Sequence, residues 1–172
     1  MVYFKKIAYS GKYQDDDAIP QLIGYITQKY KTPHQLIGGF HNDVQNPAGS
    51  MIAVSNHFGK NSRIRLHHFV LSFDYSLNGA YHLLWDIGLG VASEIAKRHQ
   101  IVFAVHEDTN HIHIHFVFNA VSYVDGKKYH GGKTEYKELI HLCTKIIDQV
   151  GLSPLAAVNY HPNPLDIQNS NE

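Results

Sequence analysis

Between residues 106 and 119 the chain reads HEDTNHIHIHFVFN, a segment crowded with imidazoles and carboxylates. On a β-strand alternate side chains share a face. Ile112, Ile114, Phe116 and Phe118 therefore form one wholly apolar face, while His111, His113, His115, Val117 and Asn119 form the other. Residues two apart on a strand lie roughly 6.5 Å apart, close enough for neighbouring imidazoles to converge on one ion. His106, just before the short Asp108–Asn110 turn, supplies a further ligand from the preceding strand. Three neutral imidazoles leave coordination positions open for water or substrate, as a catalytic metal site requires. Nitrogen ligands alone suit zinc, iron, nickel or copper, and accept manganese. Glu107 and Asp108 stand where a carboxylate can hold a ligand imidazole in one tautomer.

The elements that must position these residues follow from periodicity. VYFKKIAY reads as an opening strand, and RLHHFVLSF (65–73) as another. Asp15–Asp17 offer an N-cap for a helix from about Ala18 to Tyr30, ended by Thr32-Pro33. Pro47, Gly49 and Gly59 mark loops around a short helix in the 34–62 stretch. A helix over about 79–98 carries Leu83, Leu84, Ile87, Val91 and Ile95 at helical spacing. IVFAVHED and HIHIHFVFNAVSYV then form a hairpin. Asp125-Gly126 is a second turn, and an amphipathic helix closes at Gly151. The hairpin demands antiparallel pairing, so the expected class is α+β, an antiparallel sheet flanked by helices.

Fourteen histidines in 172 residues exceed what surface packing requires. Net charge is formally zero, which counts mildly against a nucleic-acid partner. Local basic clusters nevertheless exist: Lys60, Arg63 and Arg65 in one segment, Lys127, Lys128 and Lys133 in another. The single cysteine, Cys143, excludes an internal disulfide and suits a reducing compartment. No apolar run approaches the roughly 18 residues that span a bilayer, and no secretion signal opens the chain, so a cytoplasmic protein without membrane insertion is expected.

The order His-x-Asp-x-x-x-x-His-x-His-x-x-x-Asn, here His106, Asp108, His113, His115 and Asn119, resembles the third motif of conjugative relaxases, the mobilisation nucleases with a histidine–hydrophobic–histidine metal site. Leu22-Ile-Gly-Tyr25-Ile, followed by Lys31-Thr32, is similar to that family's first motif, and His67-His68-Phe-Val-Leu-Ser72-Phe73 to the strand before its long helix. The last helix, with Tyr136 to Cys143, resembles its family counterpart, so the resemblance covers about residues 1–155.

It implies the relaxase fold and a relaxase domain over 1–155, with 156–172 as a polar tail. The chain is then either a minimal relaxase or the catalytic domain of a longer bacterial protein. It further implies that Tyr25 attacks single-stranded DNA at an origin of transfer in plasmid mobilisation, leaving a 5′-phosphotyrosyl intermediate. Asp108 assists, and a divalent ion, Mg²⁺ or Mn²⁺, is held by His106, His113 and His115. His111 is the alternative third ligand. His106 is favoured because its spacing fits the motif and three ligands on one strand would be nearly linear. Asn119 falls to a supporting position behind the ligands. Lys31, Lys60, Arg63, Arg65, Lys127, Lys128 and Lys133 are candidate DNA contacts, and relaxosome accessory proteins and a coupling protein are the implied partners. Two other readings stand beside this one. A rolling-circle initiator or single-tyrosine transposase would use Tyr136, and a metal-stabilised accessory module would bind DNA without cutting it.

Overall fold

The computed structural model describes residues 1–7, 15 and 17–152, with the backbone of 155–157. The expected polar tail lies outside the described residues, save where Ala156 and Ala157 end the last strand, as do Asp16 and the expected continuation of the first strand through Tyr9. Six strands form one sheet: β1 (Val2–Ile7), β2 (Ile37–Phe40), β3 (Leu66–Phe73), β4 (Ile101–His106), β5 (His113–Asn119) and β6 (Leu155–Ala157). Their order is β2-β4-β5-β3-β1-β6. The first five pair antiparallel, and β6 runs parallel to β1 at the edge. The expected α+β architecture is the one observed.

Helices cover both faces. Helices α3 (Tyr81–Ile95) and α4 (Lys133–Gln149) lie on one, where Phe69, Leu71, Phe103, Ile114, Phe116 and Phe118 meet Leu84, Ile87, Val91, Leu139 and Cys143. Helices α1 (Ala18–Ile26) and α2 (Pro47–His57) cover the other, through Ile19, Leu22, Ile23, Ile26 and Met51 against Val102, Ala104 and Val117. The apolar face read from 112–118 thus packs on α3 and α4. The histidine face lies under α1 and α2.

Two elements depart from the sequence reading. Helix α1 stops at Ile26, not Tyr30. The Thr27 hydroxyl and N–H both donate to the Ile23 carbonyl, and the N–H groups of Lys31 and Thr32 then both donate to the Gln28 carbonyl. A tight turn replaces the last helical turn and folds residues 28–32 back toward the sheet. The second departure is β2, which lies in the 34–62 stretch, where the sequence reading placed no strand. Its sequence IGGF has little intrinsic strand preference. A Cβ on Gly38 would stand 2.5 Å from the Phe103 ring, so this edge strand is glycine for close packing. Pro47 and Gly49, read as loop markers, instead lie in the first turn of α2, which Asn46 caps. Asp15 accepts from the Ala18 N–H at 2.9 Å, and Gly126 and Gly151 take positive φ at the turn and the helix end, as expected.

Buried histidines make the metal-free fold acid-sensitive. Burial holds His67 down at about 4, and burial with neighbouring imidazoles holds His68 at about 3. In the unfolded chain both titrate near ~6.5. Their folded values are depressed, so the unfolded state binds the extra protons as pH drops. Stability is therefore full above about 6.5 and is lost as pH falls toward about 4. The thermal midpoint of chelator-treated protein is expected to drop stepwise from about pH 7.5 to about pH 5; a flat midpoint would contradict the assignment.

Candidate metal centre

Register puts the histidines together. His106 of β4 pairs directly with His113 of β5, and His115 sits opposite Ala104, one step along the same face. Ring centroids are 5.3 Å apart for His106–His113, 4.2 Å for His106–His115 and 4.9 Å for His113–His115. One nitrogen of each falls within 4.8 Å of one in the others. Two imidazoles from one strand and one from its neighbour make a tripod, not a row.

Each ring has one nitrogen engaged and the other directed to this cluster. His106 Nε2–H donates to the Ile26 carbonyl at 2.7 Å, in the last turn of α1. This satisfies a helix-end carbonyl and fixes the tautomer, so Nδ1 carries a bare lone pair. That atom is buried and has no hydrogen-bond partner among the described residues. An orphaned buried polar atom costs about 1–3 kcal/mol, and a cation is the partner its lone pair suits. His113 Nδ1–H donates to the His111 carbonyl at 2.9 Å, freeing Nε2. His115 Nδ1 shares a proton with His68 Nε2 at 2.7 Å, which leaves its Nε2 to the cluster. Burial lowers all three imidazoles, His106 to about 4 and His115 well below its ordinary range, so they are neutral and ligand-competent at neutral pH. The donor set fits a divalent transition ion or Mn²⁺.

The other expected residues sort themselves by position. His111 precedes β5, its Nδ1 donating to the Phe73 carbonyl at 3.2 Å, and it stands outside the cluster. Asp108 faces the cluster, with Oδ1 3.9 Å from His106 Nδ1 and 3.7 Å from His113 Nε2. Burial would raise its carboxyl, but the hydrogen bond and charge of Lys31 outweigh that and lower it. Tyr25, on the flank of the Leu22–Ile26 stripe and 37% exposed, sets its ring 6.2 Å from His106 and 6.0 Å, edge-on, from His115. Glu107 binds His34 Nδ1 at 2.7 Å, a turn tether with no part in the cluster.

Three expectations need correction. Asn119 does not support a candidate ligand. Its amide donates to the carbonyl of Met51 and to Gln100, and its Oδ1 accepts from the Val121 N–H. Lying four residues past His115, it clamps α2 to the sheet instead. Arg65 is buried at 1% exposure and donates to the Asn61 carbonyl, so its guanidinium is not presented for phosphates. Lys31, at 8% exposure, is paired inward with Asp108 at 2.5 Å. Lys60, Arg63, Lys127 and Lys133 stay exposed, and Lys128 is half-buried. Lys128 donates to the Ser62 carbonyl and has its ammonium lowered by burial and by Arg65, Lys60 and Arg63. The two basic segments therefore meet in space near the end of β5, roughly 13 Å from His115 by strand rise. Lys127 lies beside Asp125, and Lys133 opens α4.

Sequence reasoning passed over His68 as a site residue. Only the strand pairing reveals it: His68 lies opposite Val117 in the β3–β5 ladder, hence on the histidine face. His68→Ala is expected to weaken Mn²⁺ binding by about 10- to 100-fold, as measured calorimetrically, because His115 then loses the partner that fixes its tautomer. Unchanged affinity would reject that role.

Comparison with known proteins agrees with this geometry. The family model described as relaxase, MobA/VirD2-like, nuclease domain matches residues 25–152, beginning at Tyr25. Among curated proteins, one Rlx protein of Staphylococcus aureus is 28% identical over 96 residues, covering 56% of this chain and 30% of the relative. Two others from the same organism are 40% identical, over 48 residues (28% of this chain, 14% of the relative) and over 50 residues (29% and 16%). The matched part of the chain thus spans less than a third of these relatives. No solved structure matches it.

Proposed function

Because the chain belongs to the MobA/VirD2-like relaxase nuclease family, we propose that it nicks one strand of DNA at an origin of transfer, with Tyr25 as nucleophile beside a divalent ion held by His106, His113 and His115. The observation that carries this reading is the placement of Tyr25 about 6 Å from two imidazoles of the cluster. Of the expected Mg²⁺ and Mn²⁺, Mn²⁺ suits the nitrogen donors better, and when bound it would polarise phosphoryl oxygens and offset the charge that develops on them. Tyr25 Oη forms the new bond to phosphorus as the bond from phosphorus to the 3′ oxygen breaks. The phenol proton leaves to solvent and the departing 3′ oxygen takes one up. The products are a 5′-phosphotyrosyl enzyme and a free 3′-hydroxyl. One ester replaces another, so the ends can later be rejoined.

His106 links this chemistry to the fold: its Nε2–H bond to Ile26 holds the end of α1, and so Tyr25, at a set distance from the cluster. Asp108 turns Oδ1 toward the two candidate ligand nitrogens, 3.9 and 3.7 Å away, where its negative charge would help to hold the ion. The exposed Lys60, Arg63, Lys127 and Lys133, with the half-buried Lys128, would contact the DNA backbone. No described helix is long and apolar enough to cross a membrane, and action in the bacterial cytoplasm with accessory relaxosome and coupling proteins completes the proposal.

The rolling-circle or transposase reading meets an obstacle. Tyr136 stacks edge-on against Phe4 at 5.7 Å, on the α3–α4 face of the sheet, opposite the histidines. The test is incubation with single-stranded origin DNA and Mn²⁺ or Mg²⁺, followed by a denaturing gel and peptide mapping. A chelator-sensitive adduct on Tyr25 is expected. An adduct on Tyr136 would overturn the assignment, and binding without cleavage across several origins would favour an accessory module.

A further inference from the structure

We propose that Lys31 is the positioning residue of the nucleophile, clamping the Tyr25 ring over the candidate metal centre instead of contacting DNA. The inference rests on Tyr25 being the nucleophile and adds what holds it in place. The Lys31 ammonium lies 4.7 Å from the centroid of the Tyr25 ring and 5.1 Å from that of Tyr30. It is therefore shared between two phenol faces, each attracting it through the ring quadrupole. Asp108 Oδ2 fixes it from another side at 2.5 Å. The same carboxylate turns Oδ1 toward His106 Nδ1 and His113 Nε2. One carboxylate thus joins the cation that grips Tyr25 to two candidate ligands.

The backbone makes the clamp rigid. The Lys31 carbonyl accepts from the Glu107 N–H at 2.8 Å, one residue from Asp108. The Lys31 and Thr32 N–H groups close on the Gln28 carbonyl. These bonds exist because α1 ends at Ile26; a helix continued to Tyr30 would carry residue 31 away from the hairpin. A lysine that serves a phosphate presents its ammonium to solvent, and this one is 8% exposed. Tyr25, by contrast, is partly exposed and hinged on a helix end, so its ring needs a second point of attachment to keep one orientation.

A misplacement of about 1 Å in a reacting group costs about 100-fold in rate. The full chain carrying Lys31→Met, Lys31→Arg or no substitution is assayed for single-turnover adduct formation with Mn²⁺ on saturating single-stranded origin oligonucleotide. Affinity for the oligonucleotide is measured separately across a salt series without metal. Lys31→Met is expected to slow adduct formation about 100-fold, with affinity within about twofold of wild type and the salt slope unchanged. Lys31→Arg, which keeps the charge, the carboxylate partner and the ring contact, is expected to recover to within about tenfold of wild type. The proposal is overturned if Lys31→Met reacts within about tenfold of wild type. It is equally overturned if its loss appears wholly as weaker binding with the salt slope reduced by about one, or if Lys31→Arg is no faster than Lys31→Met. Should Lys31→Met not fold by circular dichroism, Lys31→Gln takes its place with the same thresholds. A wild-type adduct missing from Tyr25 would instead remove the underlying reading, and the wild-type lane reports that separately.

Discussion

Tyr25→Phe is expected to lower covalent adduct formation by at least about 10⁴-fold, since loss of a nucleophile leaves only the residual effects of binding and electrostatics. The substitution removes one oxygen and keeps the ring. The edge-on contact with His115 at 6.0 Å and the Lys31 ammonium over the ring face both persist. Among the described residues the hydroxyl makes no hydrogen bond, so the thermal midpoint and Mn²⁺ affinity should stay near wild type. Affinity for the uncleaved oligonucleotide should hold as well. A stable, metal-binding, DNA-binding protein that no longer forms the adduct is the signature of a lost nucleophile. An adduct that persists in the variant, with peptide mapping on Tyr30 or Tyr136, would move the chemistry to that residue.

The second large effect is expected from His113→Ala, which should weaken Mn²⁺ binding by more than about 100-fold, beyond the range ascribed to partners of ligands. Adduct formation should fall with it unless metal is raised in compensation. His113 is the most informative of the three because its side chain is partly exposed at the start of β5. His106 and His115 are buried, and their removal would also take away the hydrogen bond made to the Ile26 carbonyl or to the His68 ring. His111→Ala is the matching control, being two residues away and outside the cluster. It should bind metal as wild type does, since His113 is held by the backbone carbonyl of residue 111 and not by its ring. Equal losses in the two variants would disqualify the tripod.

Placement explains why the remaining basic residues divide as they do. Lys60, Arg63 and Lys128 come from segments over sixty residues apart in sequence, yet Lys128 bridges to the Ser62 carbonyl. Arg65 lies beneath them, bound to Asn61. The same residue type is therefore surface charge at one position and internal scaffold at another two residues away.

Much of the site was legible in the chain itself. The alternation from Ile112 to Asn119 assigned one face to the core and one to chemistry, because a strand's side-chain period is two and depends on no partner. His106 was singled out by its spacing and its place on the preceding strand, but its pairing with His113 was not, because residues 107–112, and not the expected three-residue turn, separate the two strands. The helices over 81–95 and 133–149 were visible in their periodicity, with Gly151 ending the second. What local rules could not supply was contact between distant segments. The pairing of β3 with β5 brought His68 to His115, and the burial of Arg65 and Lys31 depended on what packs above them. The early end of α1 turned Lys31 from an apparent surface cation into the grip on Tyr25. The β2 glycines gave no strand signal because their reason, the Phe103 ring against Gly38, lies more than sixty residues away. Periodicity and turn chemistry are carried by neighbours in sequence and can be read from them. Tautomers, buried ion pairs and close approaches arise between segments, and the tertiary structure alone decides them.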